Sequence, residues 1–397
     1  MAHTDQVSLG LYISIPFCRS KCTYCNFASG VYPAAEHERY VERLVADAHA
    51  AREWASAQGV ELPRAVDTVY LGGGTPSLLD AALVTRLFNA LRERFEIDGQ
   101  AEITVECAPG QLSEETLEAF QRAGANRFSL GVQSFVDAEA RATGRLHTCA
   151  IALQEIARLR AAGIANLSID LIAGLGGQTR ASWEESLDAL LASGAPHASV
   201  YMLEVDEDSR LGRELLTGGA RYSAALVPSD ETIVAMYERA RERLEAAGLR
   251  QYEISNFARE GFESKHNLRY WLRRPYLGLG LDASSMLRAT DGRVLRTTTT
   301  DDLKRYLATA TMEESTWVGS AAQLEEAWFL GLRRNVGVRI ADIEAEFGAD
   351  PVAPTLETAA SLCEQGLLHF DGATASLTDA GRLLSNEVFA RFLADNE

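Results

Sequence analysis

No stretch of this chain holds about eighteen uncharged apolar residues in a row, the minimum for a helix that spans a membrane. The opening residues, MAHTDQVSLG, lack the basic segment and apolar core of a secretory signal, so a cytoplasmic location is expected. Basic side chains are scarce: 38 Lys and Arg stand against 56 Asp and Glu, a formal net charge of −18 over 397 residues. That balance argues against nucleic acid or an anionic lipid surface as a partner, although a local basic pocket remains compatible with it. Cysteine is sparse as well. Of the six, Cys107, Cys149 and Cys363 are scattered, which reads as small apolar side chains rather than disulfide partners.

What is present is a rhythm. Apolar runs LYISIPF, VDTVYLGG, EITVECAP, NRFSLGVQSF, LSIDLIAGL and ASVYMLEV recur through the first half. Each has the continuous character of a parallel strand buried on both faces. Helical periodicity fills the gaps, in HERYVERLVADAHAAREWASAQ and near 80–94, 113–123, 148–162 and 179–193. Six strand–helix repeats predict an α/β fold, a partial (β/α)6 TIM-type barrel, with a doubly wound open sheet as the alternative. After Val205 the rhythm breaks into a charged, Gly-rich excursion, then a helix near 230–247 and an edge strand at QYEISNFA.

The first domain is placed at residues 1–300 and a second unit at 301–397. Helices near 320–335, 339–348 and 353–366 precede a hairpin around Asp371-Gly372 and a last helix, a mainly helical, winged-helix-like arrangement. Residues 339–397 carry only Arg339, Arg382 and Arg391 against eleven acids, so packing or partner binding is expected of this unit rather than DNA binding.

The densest chemistry lies in IPFCRSKCTYCNF, where Cys18, Cys22 and Cys25 are separated by gaps of three and two residues. Zinc ordinarily takes four ligands, and no second Cys/His pair with finger spacing follows. Closely spaced thiolates on one loop suit an iron–sulfur cluster. Three thiolates on a four-iron cluster leave one iron free to bind a small molecule. The loop follows the first strand, and active sites of barrels form at the C-terminal ends of strands. A structural zinc site or three buried thiols is the plainer alternative.

C-x3-C-x2-C after a first strand, with Tyr24 before the last cysteine, resembles the radical S-adenosylmethionine (SAM) superfamily. GGGTPS, Gly72 to Ser77, ends the next strand as it does there. LYISIPFC, GGGTPSLL, VECAPG, SLGVQSF and SIDLIAGLGGQT together resemble the oxygen-independent coproporphyrinogen III oxidase group over nearly the whole chain. The resemblance implies a 4Fe–4S cluster on Cys18, Cys22 and Cys25, with Tyr12 and Tyr24 beside it. It implies SAM contacts from Gly73, Gly74 and Thr75, and from Glu106, Gln133, Arg145 and Asp170. The residues agree in part, since Glu106 and Asp170 interrupt apolar strands, where a carboxylate is costly unless paired or bound to a ligand.

Within that group the oxidases commonly carry a further cysteine two positions past the third, where this chain has Phe27, and a longer arm than the eleven residues before Tyr12. Both departures point to the HemW-type heme chaperones. KHNLRYW, Lys265 to Trp271, is similar to their His-Asn-x-x-Tyr-Trp signature. It makes His266, Asn267, Tyr270 and Trp271 candidates for heme contact, with Lys265, Arg269, Arg273 and Arg274 available to propionates. Two departures run the other way: Ser14 stands where the family often has His, and GLGLDASS, with Asp282, has no histidine. The resemblance therefore implies a heme chaperone that binds heme, a cluster and SAM, and passes heme to an acceptor hemoprotein. An electron-donor protein is a further implied partner. The alternative is an anaerobic coproporphyrinogen III oxidase, which would cleave SAM to a radical and decarboxylate a porphyrinogen.

Overall fold

The computed structural model describes residues 8–308 and 314–393, so the N-terminal segment read above as no secretory signal lies largely outside the described residues. Six parallel strands come first: β1 (Leu9–Ile15), β2 (Ala65–Gly73), β3 (Glu96–Cys107), β4 (Arg127–Gln133), β5 (Asn166–Ala173) and β6 (His197–Met202). They lie side by side in chain order, each pair joined through a helical crossover. No reversal of strand order occurs among them, which sets aside the doubly wound sheet.

The ring does not close. β6 is capped by an antiparallel hairpin of β7 (Arg250–Glu253) and β8 (Asn256–Ala258), and β1 is flanked by β9 (Tyr276–Leu279). A meander of β10 (Ser284–Arg288), β11 (Val294–Thr298) and β12 (Glu314–Val318) continues beyond β9, giving a twelve-stranded sheet. QYEISNFA thus folds as two short strands rather than one.

The helices follow their side chains. Helix Ala34–Ala57 buries Tyr40, Val41, Leu44, Ala48, Ala51 and Ala55, a stripe at helical spacing that faces the sheet. Hydroxyl caps start several others: Ser113 accepts from the amide of Thr116, Thr148 from Ile151 and Ser264 from Asn267, while Thr179 and Ser182 form a capping box.

The second unit begins later than residue 301. Leu303 and Tyr306 pack into the barrel core, and β12 pairs with β11, so the first core extends to about Val318. β11 ends at Thr298, and the threonines after it stay bonded to the loop before β10, the Thr299 amide to the Ala283 carbonyl and the Thr300 carbonyl to the Asp282 amide. From Ser320 a separate core forms around Trp328, which stacks on Phe392 with centroids 4.5 Å apart. Helices Ser320–Leu332, Ile340–Phe347 and Ala349–Glu364 surround a small sheet of β13 (Val338–Arg339), β14 (Leu368–Phe370) and β15 (Thr374–Leu377). The unit is clamped to the barrel edge: the Asn335 amide donates to the Tyr252 carbonyl at 3.0 Å, and Arg273 pairs with Glu346 at 2.8 Å.

Candidate functional site

Polar residues alternate along strands whose other face is apolar. Thr68 and Tyr70 on β2, Glu102 and Glu106 on β3, Ser129 on β4, Ser168 and Asp170 on β5, and His197 and Ser199 on β6 fall two or four residues apart within a strand. Side chains at such spacing share a face, so the barrel interior is polar. At the C-terminal end of the strands this interior opens into a cavity of about 930 Å³. Cys18, Cys22, Cys25, Tyr24, Gly73, Gly74, Thr75, Glu106, Gln133, Arg145 and Asp170 all line it. Tyr12 lies just beneath, stacked on Tyr70 at 6.2 Å.

The cysteine loop is tied down at several points. The Cys18 amide donates to the Gly30 carbonyl at 2.8 Å, and Lys21 Nζ donates to the carbonyls of Phe27 and Ser29 at 2.6 and 2.9 Å. The Thr23 amide donates to Thr143, and the Leu211 amide donates to Thr23. Burial pushes the Cys18 thiol up, and proximity to Cys25 and Cys22 adds to the rise. Among the described residues no three His, Cys, Asp or Glu side chains gather as they would around one metal ion. A cluster is a different demand, because its thiolates bind separate irons across its width. The donor set, three thiols on one loop at a cavity wall, fits such a cluster.

The glycines of GGGTPS serve the loop more directly than a ligand. A Cβ on Gly74 would lie 2.7 Å from the Ile15 carbonyl oxygen and 2.8 Å from that of Phe17. The end of β2 and the base of the cysteine loop therefore meet backbone to backbone. Thr75 Oγ1 approaches Cys18 Sγ at 3.8 Å.

Hydroxyls rather than direct ion pairs hold the carboxylates. Tyr70 donates to Glu106 at 2.7 Å, and burial pushes Glu106 up to about 7, with Asp170 adding to the rise. Asp170 is raised by burial, while hydroxyls of Ser199, Ser129 and Ser168 oppose the shift. Gln133 adopts a left-handed backbone, φ 68°, at the end of β4, a strained conformation for a non-glycine residue. Arg145 donates to Tyr24 Oη at 3.2 Å. Gln133 Oε1, Arg145 Nε and Gln111 Oε1 are buried without partners. Unpaired buried polar atoms are expensive, and these three, facing one cavity beside two carboxylates, suit a zwitterionic, hydroxyl-bearing ligand such as SAM.

The heme candidates lie elsewhere. KHNLRYW is a helix, Lys265–Trp271, packed against the lower half of the interior face and outside the cavity lining. His266 is 0% exposed, with Nδ1 2.9 Å from Thr68 Oγ1 and Nε2 2.9 Å from Tyr270 Oη. Burial pushes its imidazole down to about 3, so it is neutral. Both ring nitrogens of His266 are thus engaged within the fold, so heme contact through this side chain calls for one of them to be released. Arg269 is also engaged: it pairs with Asp67 and donates to the carbonyls of Ser8 and Pro275, so it is not available to a propionate. Tyr270 packs edge-on against Tyr276, and Asn267 uses its amide in the helix cap. Trp271 is the exception. Its Nε1 has no partner, and Arg333, which also lines the cavity, lies 4.3 Å above its ring.

Phe27 is 61% exposed at the cavity wall, beside a loop that has no fourth cysteine. The C-terminal unit supplies Arg333, Leu383, Ser385, Asn386 and Glu387 to the same cavity, a contribution no local motif announces.

A model of the radical SAM superfamily matches residues 12–190, and a model of the HemN C-terminal domain matches 320–384. The chain is 34% identical over 388 residues to the heme chaperone HemW of Lactococcus lactis, covering 97% of both chains. It belongs to the HemW family. HemW of Bacillus subtilis is 33% identical, with 97% of this chain and 99% of that one covered, and HemW of Escherichia coli is 32% identical with 98% of each covered. Among solved structures, coproporphyrinogen III oxidase (HemN) of Escherichia coli superposes with a TM-score of 0.83 over 98% of this chain and 90% of its own. At 23% identity that likeness establishes the shared fold. Membership of the radical SAM superfamily implies a 4Fe–4S cluster and SAM. Among the described residues no helix is long and apolar enough to cross a membrane.

Proposed function

We propose that this HemW family member is a heme chaperone, which binds heme and passes it to an acceptor hemoprotein. The observation that supports this most is its end-to-end match to proteins named heme chaperones, 97–99% of their lengths in the first three. Phe27 in place of a further cysteine points the same way.

In this reading Cys18, Cys22 and Cys25 hold the cluster, and Glu106, Gln133, Arg145 and Asp170 hold SAM. When bound, the cluster supplies an open iron and an electron. The chain's own residues orient and shield. Tyr70 fixes Glu106, three serines fix Asp170, and the C-terminal unit covers the cavity. The helix Lys265–Trp271, closed as a plug here, would answer to heme by opening, since His266 could act as a ligand only after Tyr270 left its Nε2.

An anaerobic heme titration of the cluster-reconstituted protein, followed by absorbance, tests this. Saturable one-to-one binding is expected, with an altered spectrum in His266→Ala. Absence of binding, together with protoporphyrinogen formation from coproporphyrinogen, SAM and a reductant, would replace the chaperone with the oxidase.

A further inference from the structure

Beneath Asp170 the barrel interior carries a continuous series of hydrogen bonds. Ser168 Oγ is 3.3 Å from Asp170 Oδ1 and 2.8 Å from His197 Nδ1. His197 Nε2 is 2.9 Å from Tyr252 Oη, and Tyr252 Oη accepts from the Ser264 amide at 3.2 Å. Ser264 is the N-cap of the helix Lys265–Trp271.

The proton positions follow from the two ends. Asp170 accepts from the hydroxyls of Ser129 and Ser168, and a backbone amide only donates. Ser168 gives its single proton to Asp170, so its oxygen must accept from His197 Nδ1–H. His197, buried and pushed well down by burial and by Arg127, is neutral, so Nε2 is bare and accepts from Tyr252. Tyr252 can then accept from Ser264. The opposite sense would set the Ser168 proton on His197 and leave the Tyr252 proton without an acceptor. The series therefore points one way, from the helix start to the carboxylate, and each bond polarises the next.

We propose that Ser168, His197 and Tyr252 are positioning residues that tie occupancy of the SAM site at Asp170 to the N-terminus of the helix Lys265–Trp271. The proposal rests on the reading that Asp170 holds SAM. A ligand that engages Asp170 draws on the donors behind it, and the last donor is the cap of the helix carrying His266. A second hold on the same turn comes from Glu102, which accepts from the His266 amide at 3.0 Å. The C-terminal unit joins the series through the Asn335 amide, bonded to the Tyr252 carbonyl.

The test uses the full-length, cluster-reconstituted protein and SAM itself as the probe. Nitrogen NMR of ring-labelled histidine should show His197 neutral and protonated at Nδ1. SAM titration by calorimetry should give dissociation constants about three- to tenfold weaker for Ser168→Ala and Tyr252→Phe, the size of one buried hydrogen bond. In the parent, SAM should slow amide exchange at Ser264–Asn267, and Tyr252→Phe should abolish that slowing. Tyr252→Phe removes one hydroxyl and keeps the ring, so folding is preserved. His197 protonated at Nε2, or parent-like affinity and exchange in both variants, would overturn the proposal. Asp170→Asn separates the two levels. Loss of SAM binding there, with Ser168→Ala and Tyr252→Phe unaffected, defeats the positioning series alone. Unchanged binding there defeats the assignment of Asp170 and the series with it.

Discussion

The two halves of the barrel interior are built from similar residues and end in opposite states. In the upper half Gln133, Arg145 and Gln111 each leave a buried polar atom unpaired around a cavity. In the lower half His266 spends both ring nitrogens and Arg269 bonds Thr68, Ser8, Asp67 and Pro275. Burial alone does not mark a ligand site; burial with unmet hydrogen-bonding capacity does. By that measure the upper half has hydrogen-bonding capacity to spare, and the helix Lys265–Trp271 is a plug. Its one unmet group, the Trp271 Nε1, lies where the C-terminal unit meets the barrel.

The comparison can be broken most decisively at the cysteines. Cys18→Ala, Cys22→Ala and Cys25→Ala should each abolish the absorption of a reconstituted 4Fe–4S centre, whereas Cys107→Ala, Cys149→Ala and Cys363→Ala should retain it. Retention in all of the first three would remove the cluster from the upper half. Next in size is the plug. Arg269→Met strips Asp67 of its cation and the Ser8 carbonyl of the Arg269 donor, while the Pro275 carbonyl keeps the Gly10 amide, and urea denaturation should show a loss of about 3–5 kcal/mol. A loss below about 1 kcal/mol would mean the lower half is not the structural end.

The upper half should instead show its strain through pH. Glu106 is raised from 4.5 to about 7, so the folded state holds a proton that the unfolded state releases. Its contribution is fully present below pH 4.5 and is lost as pH rises through about 7, up to roughly 3 kcal/mol. In SAM-free protein, Glu106→Gln should flatten the fall in melting temperature between pH 5 and 8 relative to the parent. Parallel curves would place the Glu106 carboxyl in a solvated setting.

Much of this was legible in the residues. The six parallel strands announce themselves because burial on both faces leaves continuous apolar runs, and the Cys18–Cys25 loop because three thiols need one another. Glu106 and Asp170 stand out as carboxylates inside such runs. His197 and Tyr252 did not, since the partners that join them lie on strands far apart in the chain. A signal existed: Ser168 and Asp170, like His197 and Ser199, alternate within runs otherwise apolar, which is the mark of a polar lumen. KHNLRYW was harder. Its seven residues are too few to separate a helix by period, and its buried His266 and Arg269 look like surface residues until partners from β2 and the N-terminus are supplied. The boundary at residue 301 rested on composition, and there the polar, threonine-rich end of β11 passes into two acids with no break in the first core.

The ties of the cysteine loop reach far along the chain. Thr23 is bonded by its amide to Thr143 and by its carbonyl to Leu211, and Asn26 reaches Asp206. During synthesis the three thiols emerge well before the segments that shape their loop, which follow more than a hundred residues later. The cysteine loop therefore takes its shape only as the barrel is assembled, in the finished fold rather than in the nascent chain.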